Sequence, residues 1–389
     1  MKRFLVLFLA LFLITQMVFA TEELKNEVKV YVYNFKEFSY RFTNPFQKAD
    51  QVIKVTPSVE AEIRDFQERE FTIALTLYDS KGNIVFAKSQ EVKRVEEDKY
   101  DYAIVKFWLE DKIPFPEKAL VEITTEKGSF QKEITLKFAR IYGRSTNFDG
   151  SPRQDYLIAN DNGFENVYAA TCDENGYYEM ILPQRTYNTI IANNETYGKT
   201  TLETWAWNFT ASEDTELNFH VASLEVYNLY VWPNNGGART VFISFRPMSV
   251  HRANQIDSNK DGELDAQEIA EAKLSITEEE FKAHPFSGLA PILDENKVKV
   301  VLDGEEVKVV SVKPYAEYVY TEEDKNYYQT AYIVQAMRGS NRIPPGRHFI
   351  RVEIEDELLY EGEKIIQRGE ASYYWLQEGS IHAKPKYRF

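Results

Sequence analysis

A run of acidic and amide side chains stands in the segment IDSNKDGELDAQEIAEAKL, from Ile256 to Leu274. Oxygen donors occur at loop positions 1, 3, 5, 7, 9 and 12, namely Asp257, Asn259, Asp261, Glu263 (backbone carbonyl), Asp265 and Glu268. Gly262 stands at position 6, where glycine permits the positive φ of a sharp turn. Hard cations take oxygen ligands, and seven flexible oxygens suit Ca²⁺ better than Mg²⁺. The spacing therefore predicts a calcium site; the alternative is a solvated acidic turn before a helix.

This segment resembles the loop of an EF-hand, because the pattern D-x-[DN]-x-[DN]-G-x5-E is met in full from Asp257 to Glu268. The resemblance implies that Glu263 binds through its carbonyl, Asp265 through water, and Glu268 with both carboxylate oxygens. Four carboxylates would repel one another strongly at this range without a cation. The expected cofactor is therefore calcium.

The flanking sequence favours a structural ion over a sensor. Pro247 leaves residues 248–256 for an entering helix, which allows two turns at most. Residues 266–273 are rich in helix formers, and Thr277 with Glu280 predicts a capping box for a second helix. EF-hands normally work in pairs, yet the sequence contains neither a second such loop nor a methionine-rich groove to expose.

The first residues predict export. Lys2 and Arg3 precede an apolar run from Phe4 to Ile14, and residues 18–20 offer a small-residue cleavage pattern. We expect residues 1–20 to be a cleaved signal peptide, with an uncleaved anchor as the alternative. No later stretch has the ~18 apolar residues of a membrane helix. A periplasmic or extracellular location without a membrane span is the expectation.

The net charge limits the classes of partner that we expect. The full chain carries a formal charge of −15, and loss of Lys2 and Arg3 with the leader makes it −17. Such a surface repels phosphate backbones, so nucleic acid is excluded as an expected partner. Cys172 is the single cysteine, so no intramolecular disulfide can form, and we expect it to be a buried structural residue.

In most of the chain, apolar and polar residues alternate with a period of two. EVKVYVYNF places Val28, Val30 and Val32 on one face, and residues 79–83 mark a hairpin turn between two further strands. Short alternating strands without helical pattern predict an N-terminal β-sandwich at residues 21–138.

Two further modules follow. Residues 139–233 resemble the carboxypeptidase regulatory-like module, a sandwich of prealbumin type, a resemblance carried by Asp173, Gly176, Tyr177, Pro183 and Tyr187. It implies a fold and an accessory role, and no peptidase. Residues 234–368 include VVLDGEEV and PPGRHFIRVEI, which resemble bacterial immunoglobulin-like modules, with the calcium segment inserted at 250–285.

The predicted fold class is therefore mainly β: tandem antiparallel β-sandwich modules, immunoglobulin-like and prealbumin-like, with a short helical insertion that carries the calcium loop. Residues 369–389 form an aromatic C-terminal tail that either adds a last strand or docks elsewhere.

Aromatic residues offer a second interpretation. WAWNF places Trp205, Trp207 and Phe209 at alternate positions of one strand, where they form either a sandwich core or a platform for stacking sugar rings. No nucleophile elbow, zinc-protease motif or phosphate loop occurs.

We expect a non-enzymatic, exported calcium-binding protein with a binding or structural role in adhesion or surface assembly, and a protein or glycan ligand at the cell surface. A carbohydrate-binding accessory protein using Trp205 and Trp207 is the alternative. A hydrolase with an unrecognised acidic pair is a third.

Overall fold

The computed structural model describes residues 22–35, 37–44, 49–94, 102–109, 113–160, 167–234, 239–257, 276–283, 288–322, 324–338 and 346–377. Most of these residues lie in strands, so the predicted fold class is confirmed as mainly β. The chain divides into two compact units. Unit 1 comprises Met1–Glu37 and Thr56–Lys137, and unit 2 comprises Phe38–Val55 and Phe138–Phe389.

The first strands are β1 (Glu22–Glu23), β2 (Val28–Tyr33), β3 (Phe38–Asn44), β4 (Ala49–Val55), β5 (Ser58–Arg64), β6 (Glu70–Tyr78), β7 (Ile84–Lys93), β8 (Tyr102–Trp108), β9 (Lys118–Thr125) and β10 (Gly128–Thr135). The next are β11 (Phe138–Thr146), β12 (Tyr156–Asn160), β13 (Val167–Thr171), β14 (Tyr177–Pro183), β15 (Thr186–Asn193), β16 (Thr204–Thr210), β17 (Thr215–Glu216) and β18 (Phe219–His220). The last are β19 (Leu224–Pro233), β20 (Thr240–Ser249), β21 (Ile276–Thr277), β22 (Val298–Leu302), β23 (Glu305–Val307), β24 (Val309–Glu322), β25 (Lys325–Met337), β26 (Gly346–Tyr360) and β27 (Glu363–Gln377). Two helices are described, α1 (Val250–Ile256) and α2 (Glu278–Ala283).

Unit 1 contains a five-stranded sheet of order β1-β10-β9-β6-β7 and a three-stranded sheet of order β2-β5-β8. The predicted alternation holds here, since Val30, Ala61 and Val105 lie side by side on adjacent strands and are all buried. Each fully buried valine or isoleucine contributes ~1.5–3 kcal/mol to folding, so these strands follow directly from their apolar spacing. The predicted turn at 79–83 joins β6 and β7, with the Asp79 carboxylate accepting from the backbone N–H of Asn83.

Unit 2 contains an eight-stranded sheet of order β13-β12-β15-β16-β27-β26-β22-β23 and a five-stranded sheet in which β19, β20, β25 and β21 follow one another and β24 pairs with β25. The main core fills the space between these two sheets, and includes Ile243 and Phe245 on one side and Val300 and Val352 on the other. A further sheet of order β14-β11-β17, with β18 also on β11, and the β3–β4 hairpin complete the unit.

The boundary predicted at 233/234 does not separate two compact units. β16 pairs in parallel with β27, so Trp205 lies beside Ala371 and Trp207 beside Tyr373 within one sheet. A Cβ at Gly369 would clash with the Leu224 carbonyl, so glycine is what permits this close approach of β19 and β27. Residues 369–377 of the predicted tail therefore form part of a long strand. The compact units divide between Lys137 and Phe138, but residues 38–55 of the predicted N-terminal sandwich belong to unit 2.

Among the described residues, no helix combines the length and apolarity needed to cross a membrane.

Candidate functional site

The predicted calcium segment begins at the end of α1. Asp257 is 9% exposed and caps α1, and its N–H donates to the Ala253 carbonyl at 3.1 Å. The other predicted ligands, Asn259, Asp261, Glu263, Asp265 and Glu268, lie outside the described residues. The entering helix stays within the limit of two turns set by Pro247, and its N-cap is Ser249, whose hydroxyl accepts from the Arg252 N–H.

Polar contacts fix α1 to β26. The Arg252 guanidinium donates to the Asp356 carboxylate at 2.9 Å, and the Gln255 amide donates to the Leu359 carbonyl at 2.8 Å. Asp356 is 2% exposed and also accepts from Lys297 at 2.8 Å. The element that presents Asp257 is therefore rigidly held, which is what a preorganised ligand requires.

The other end of the predicted insertion is fixed as well. The predicted capping box is present: the Glu280 carboxylate accepts from the Thr277 N–H at 3.0 Å, and the Thr277 hydroxyl accepts from the Glu280 N–H at 3.3 Å. β21 places Ile276 beside Tyr328 of β25. Within the described ranges, no three His, Cys, Asp or Glu side chains group closely enough to hold a metal ion.

The aromatic strand is largely internal. Trp205 is 6% exposed and stacks on Trp207 with ring centroids 4.8 Å apart, while Tyr227 meets both rings edge-on at 5.3 and 5.4 Å. Phe209 lies apart from this group and packs edge-on against Tyr374, after Asn208 takes a left-handed φ of 51°. Trp205 therefore belongs to a core, as one of the two interpretations requires, and presents no open face for a sugar ring.

A buried carboxyl that the sequence did not single out lies beside this strand. Glu225 is 1% exposed, and one of its oxygens accepts from the Trp205 indole N–H at 2.7 Å. Its other oxygen has no hydrogen-bond partner within the part of the chain that the structure describes. Glu203 is partly buried nearby and accepts from the Asn193 amide at 3.3 Å. Leu224 and Val226, the neighbours of Glu225 on β19, are buried as well.

Burial governs the ionisation of both carboxyls. Burial raises the pKa of Glu225 well above its usual range, and the Glu203 charge raises it further, against smaller opposing effects of Trp205 and Arg246. Burial likewise raises the pKa of Glu203 to about 7. The Glu203 carboxyl is thus placed to change protonation state near neutral pH.

Cys172 lies elsewhere in unit 2 and is buried, as expected. Burial, with a smaller effect of the Asp155 charge, raises the pKa of its thiol to about 12. A thiol that stays protonated is a poor nucleophile, which agrees with a structural role.

A polar cleft of 590 Å³ lies at the loop end of β11 and β12, lined among others by Arg41, Asn147, Arg153, Glu174 and Asn194. Its Arg153 is largely occupied. The guanidinium donates to Asp155 from Nε and Nη2, each at 3.0 Å, and to the Asn147 amide oxygen from Nη1 at 3.0 Å. Arg153 therefore has little hydrogen-bonding capacity left for a ligand in this cleft.

No protein-family model matches the sequence, and no curated protein matches it significantly. Solved structures with similarity include a DUF3823 family protein from Parabacteroides merdae, at 12% identity and a TM-score of 0.18, covering 61% of this chain and 98% of that one. The group B streptococcus pilus 2b backbone protein gives 11% identity and a TM-score of 0.19, and the match covers 49% of this chain and 96% of that protein's chain. The major pilin subunit of Bacillus cereus is similar at 10% identity and a TM-score of 0.18, and the match covers 61% of this chain and 69% of the pilin chain. With TM-scores this low, the fold assignment rests on the strand pairing described above.

Proposed function

We propose that this chain is an exported calcium-binding β-sandwich protein with a binding or structural role, in adhesion or surface assembly, and that the ion stabilises unit 2. The complete ligand pattern from Asp257 to Glu268 carries this proposal. The firm attachment of α1 to β26 supports it, because Asp257 then stands on a fixed element.

A structural ion suits a chain without disulfides. Cys172 is the single cysteine, so packing and bound ions must supply what covalent links give many exported domains. Extracellular calcium loops often bind with a Kd of ~10⁻⁴–10⁻³ M. At ten times the Kd, the ion adds ~1.4 kcal/mol to the free energy of unfolding.

A binding role needs apolar side chains at the surface. Tyr318 and Tyr320 on β24 are 55% and 40% exposed, and Leu359 and Ile366 at the end of the β26–β27 hairpin are more than 60% exposed. It is a contiguous patch of such side chains that marks a surface for a partner. The alternative, sugar stacking on Trp205 and Trp207, is disfavoured by the burial of Trp205.

Calorimetry of the mature chain, residues 21–389, with calcium and with EGTA tests the ion. We expect EGTA to lower the Tm of unit 2 by a few degrees, since ~1.4 kcal/mol is lost. Hydrogen exchange should rise first within residues 248–285. The double variant Asp257→Ala with Glu268→Gln should melt like the EGTA-treated parent and ignore added calcium.

The matched control is Glu174→Gln with Glu305→Gln, which also removes two acidic charges and should keep the calcium response. An identical melting curve in calcium and EGTA, with no heat on calcium titration, would refute the calcium site. Crosslinking the chain to its neighbours in intact cells tests the binding role separately, because a chain that captures no surface partner would contradict it.

A further inference from the structure

The outer face of the five-stranded sheet in unit 2 carries three aromatic rings in succession. Val231 and Ile243 lie side by side on β19 and β20 and belong to the main core. Because side chains alternate along a strand, their neighbours Trp232 and Phe242 face the other way, and so does Tyr230. Tyr230 is 55% exposed, and the other two residues are partly exposed. Solvent therefore reaches these three residues, which we call the aromatic surface.

The three rings are close to parallel. Trp232 and Phe242 are cross-strand neighbours with ring centroids 5.6 Å apart and planes that differ by 20°. Tyr230 and Trp232 follow at 5.9 Å and 31°. The ring of Tyr373 on β27 stands nearly perpendicular to that of Tyr230 at 5.6 Å and helps to fix it. Offset parallel rings leave part of each π face uncovered by its neighbours, and rings held in place lose little entropy when a ligand binds.

The cross-strand neighbours of the aromatic surface are uncharged. Gln335 of β25 follows Phe242 in one row of the sheet, and Ser244 and Ile333 follow Tyr230 in the next. Side chains in such rows share one face of the sheet. The aromatic surface is therefore bordered by a hydroxyl and an amide, which both donate and accept hydrogen bonds.

The polar border is held by hydrogen bonds of its own. The Thr240 hydroxyl accepts from the Gln335 amide at 2.9 Å and from the Asn234 amide at 3.2 Å. These contacts join β20 to the strands on both sides, next to Phe242. Groups that are already oriented bind a ligand with a smaller loss of entropy.

Charged groups stand at the far side of this face. Arg246 is the next residue of β20 that shares the orientation of Ser244, and it lies 3.4 Å from the Glu317 carboxylate. Lys313 of β24 lies one strand beyond Ile333. The whole chain carries a formal charge of −15, which repels nucleic acids and acidic polysaccharides. The ligand whose charge matches an uncharged surface on an acidic protein is uncharged.

A neutral sugar has the two properties that match this surface. The C–H groups on one face of a pyranose ring are apolar and slightly positive, so they stack on the negative π face of an aromatic ring. The hydroxyls at the edge of the sugar exchange hydrogen bonds with groups such as Ser244 and Gln335. A purely aliphatic ligand would cover those polar groups without pairing them, at a cost in free energy. Three rings in succession favour an oligosaccharide over a single sugar.

We propose that Tyr230, Trp232 and Phe242 form a binding site for a neutral oligosaccharide. The proposal rests on the binding role proposed above and names the chemical class of its ligand. The site is separate from Trp205 and Trp207, whose rings stack on each other.

Titration calorimetry of the mature chain, residues 21–389, tests the site with soluble hexasaccharides. The neutral probes are those of glucose, xylose, mannose and N-acetylglucosamine, and the acidic probe is that of galacturonic acid. We expect at least one neutral probe to bind and to change the tryptophan emission, because Trp232 lies in the site. The acidic probe should bind more weakly. Tyr230→Ala and Trp232→Ala should each weaken binding roughly tenfold or more, as the loss of one stacking ring does for other ring-shaped ligands.

Tyr177→Ala is the matched control. Tyr177 lies on β14 in another sheet of unit 2 and is also 55% exposed, so its loss should leave the affinity unchanged. If Trp232→Ala does not fold, Tyr230→Ala still decides, since more than half of that side chain is exposed and its Tm should match the parent's.

Three results would overturn the proposal: no neutral hexasaccharide binds, Tyr230→Ala binds like the parent, or the acidic probe binds more tightly than the neutral ones. A parent that sediments as a dimer and a Tyr230→Ala variant that sediments as a monomer would instead assign the aromatic surface to a second copy of the chain. The crosslinking and calcium experiments above are independent of these probes. A failure of sugar binding alone therefore leaves the binding role and the calcium site standing.

Discussion

Two carboxyls in unit 2 are equally buried but differ in the hydrogen-bond donors and cations that surround them. Asp155 is fully buried and receives the Arg153 guanidinium from two nitrogens and the Ser145 hydroxyl as well. Glu225 is 1% exposed and receives one indole N–H. Depth alone therefore does not decide what a buried acid does. The number of cations and hydrogen-bond donors around it decides how far its buried charge is compensated.

Two further acids fall between these extremes. Asp356 is 2% exposed and pairs with Arg252 and Lys297. Glu370 is equally buried. Its carboxylate accepts from the backbone N–H of His220, and the Nδ1 atom of the His220 ring lies 3.0 Å from the same carboxylate. The four carboxyls form a series from the most to the least compensated charge, in the order Asp155, Asp356, Glu370 and Glu225. A single substitution can remove the partner of one carboxyl without changing the others.

The largest effect is expected from Arg153→Met, which should make Asp155 resemble Glu225. Breaking a buried ion pair leaves an uncompensated charge, at a loss of ~3–5 kcal/mol in the free energy of unfolding. Urea denaturation of the variant and the parent measures this loss.

Arg140→Met is the matched control for that measurement. Arg140 lies 3.6 Å from Glu179 and both side chains are about half exposed, so its loss should cost less than ~1 kcal/mol. An Arg153→Met protein no less stable than Arg140→Met would show that the Arg153–Asp155 pair contributes nothing beyond a surface contact.

A smaller effect is expected from Asp356→Asn, which removes the charge that Arg252 and Lys297 share. Charge-assisted hydrogen bonds contribute ~1.5–3 kcal/mol each, and the amide retains part of that. Because Arg252 attaches α1 to β26, the amides of residues 250–256 should exchange faster with solvent than in the parent. Glu357→Gln, which faces Lys364 on the surface, is the control; equal exchange in both variants would refute the anchoring role.

Local features of this fold could be predicted from sequence because each depends on neighbouring residues. The alternation of Val28, Val30 and Val32 produced β2 with one buried face. The length limit set by Pro247 matched the two turns of α1, and Thr277 with Glu280 capped α2. The calcium site from Asp257 to Glu268 stays a prediction.

The pairing of β16 with β27 could not be predicted, because its partners are distant in sequence. The two strands pair across more than 160 residues, and no local turn in the sequence indicates a parallel pairing of that kind. The burial of Glu225 could not be predicted either. It depends on Trp205, which belongs to another sheet and donates its indole N–H to the Glu225 carboxylate.

The smallest effect is expected from His220→Gln, which tests the third site of the series. The hydrogen bond to Glu370 raises the pKa of His220, so the charged imidazole adds stability that is complete below about pH 6.5 and is lost as the pH rises through the raised value. A third of the side chain is exposed, and solvent screening limits the difference from the parent to less than ~1 kcal/mol. Urea titration at pH 5.5 and pH 8.5 should find the variant weaker at the lower pH and equal to the parent at the higher. The backbone N–H of residue 220 still reaches Glu370 in the variant, which is why the loss stays small. A difference that does not change with pH would mean that His220 acts through packing.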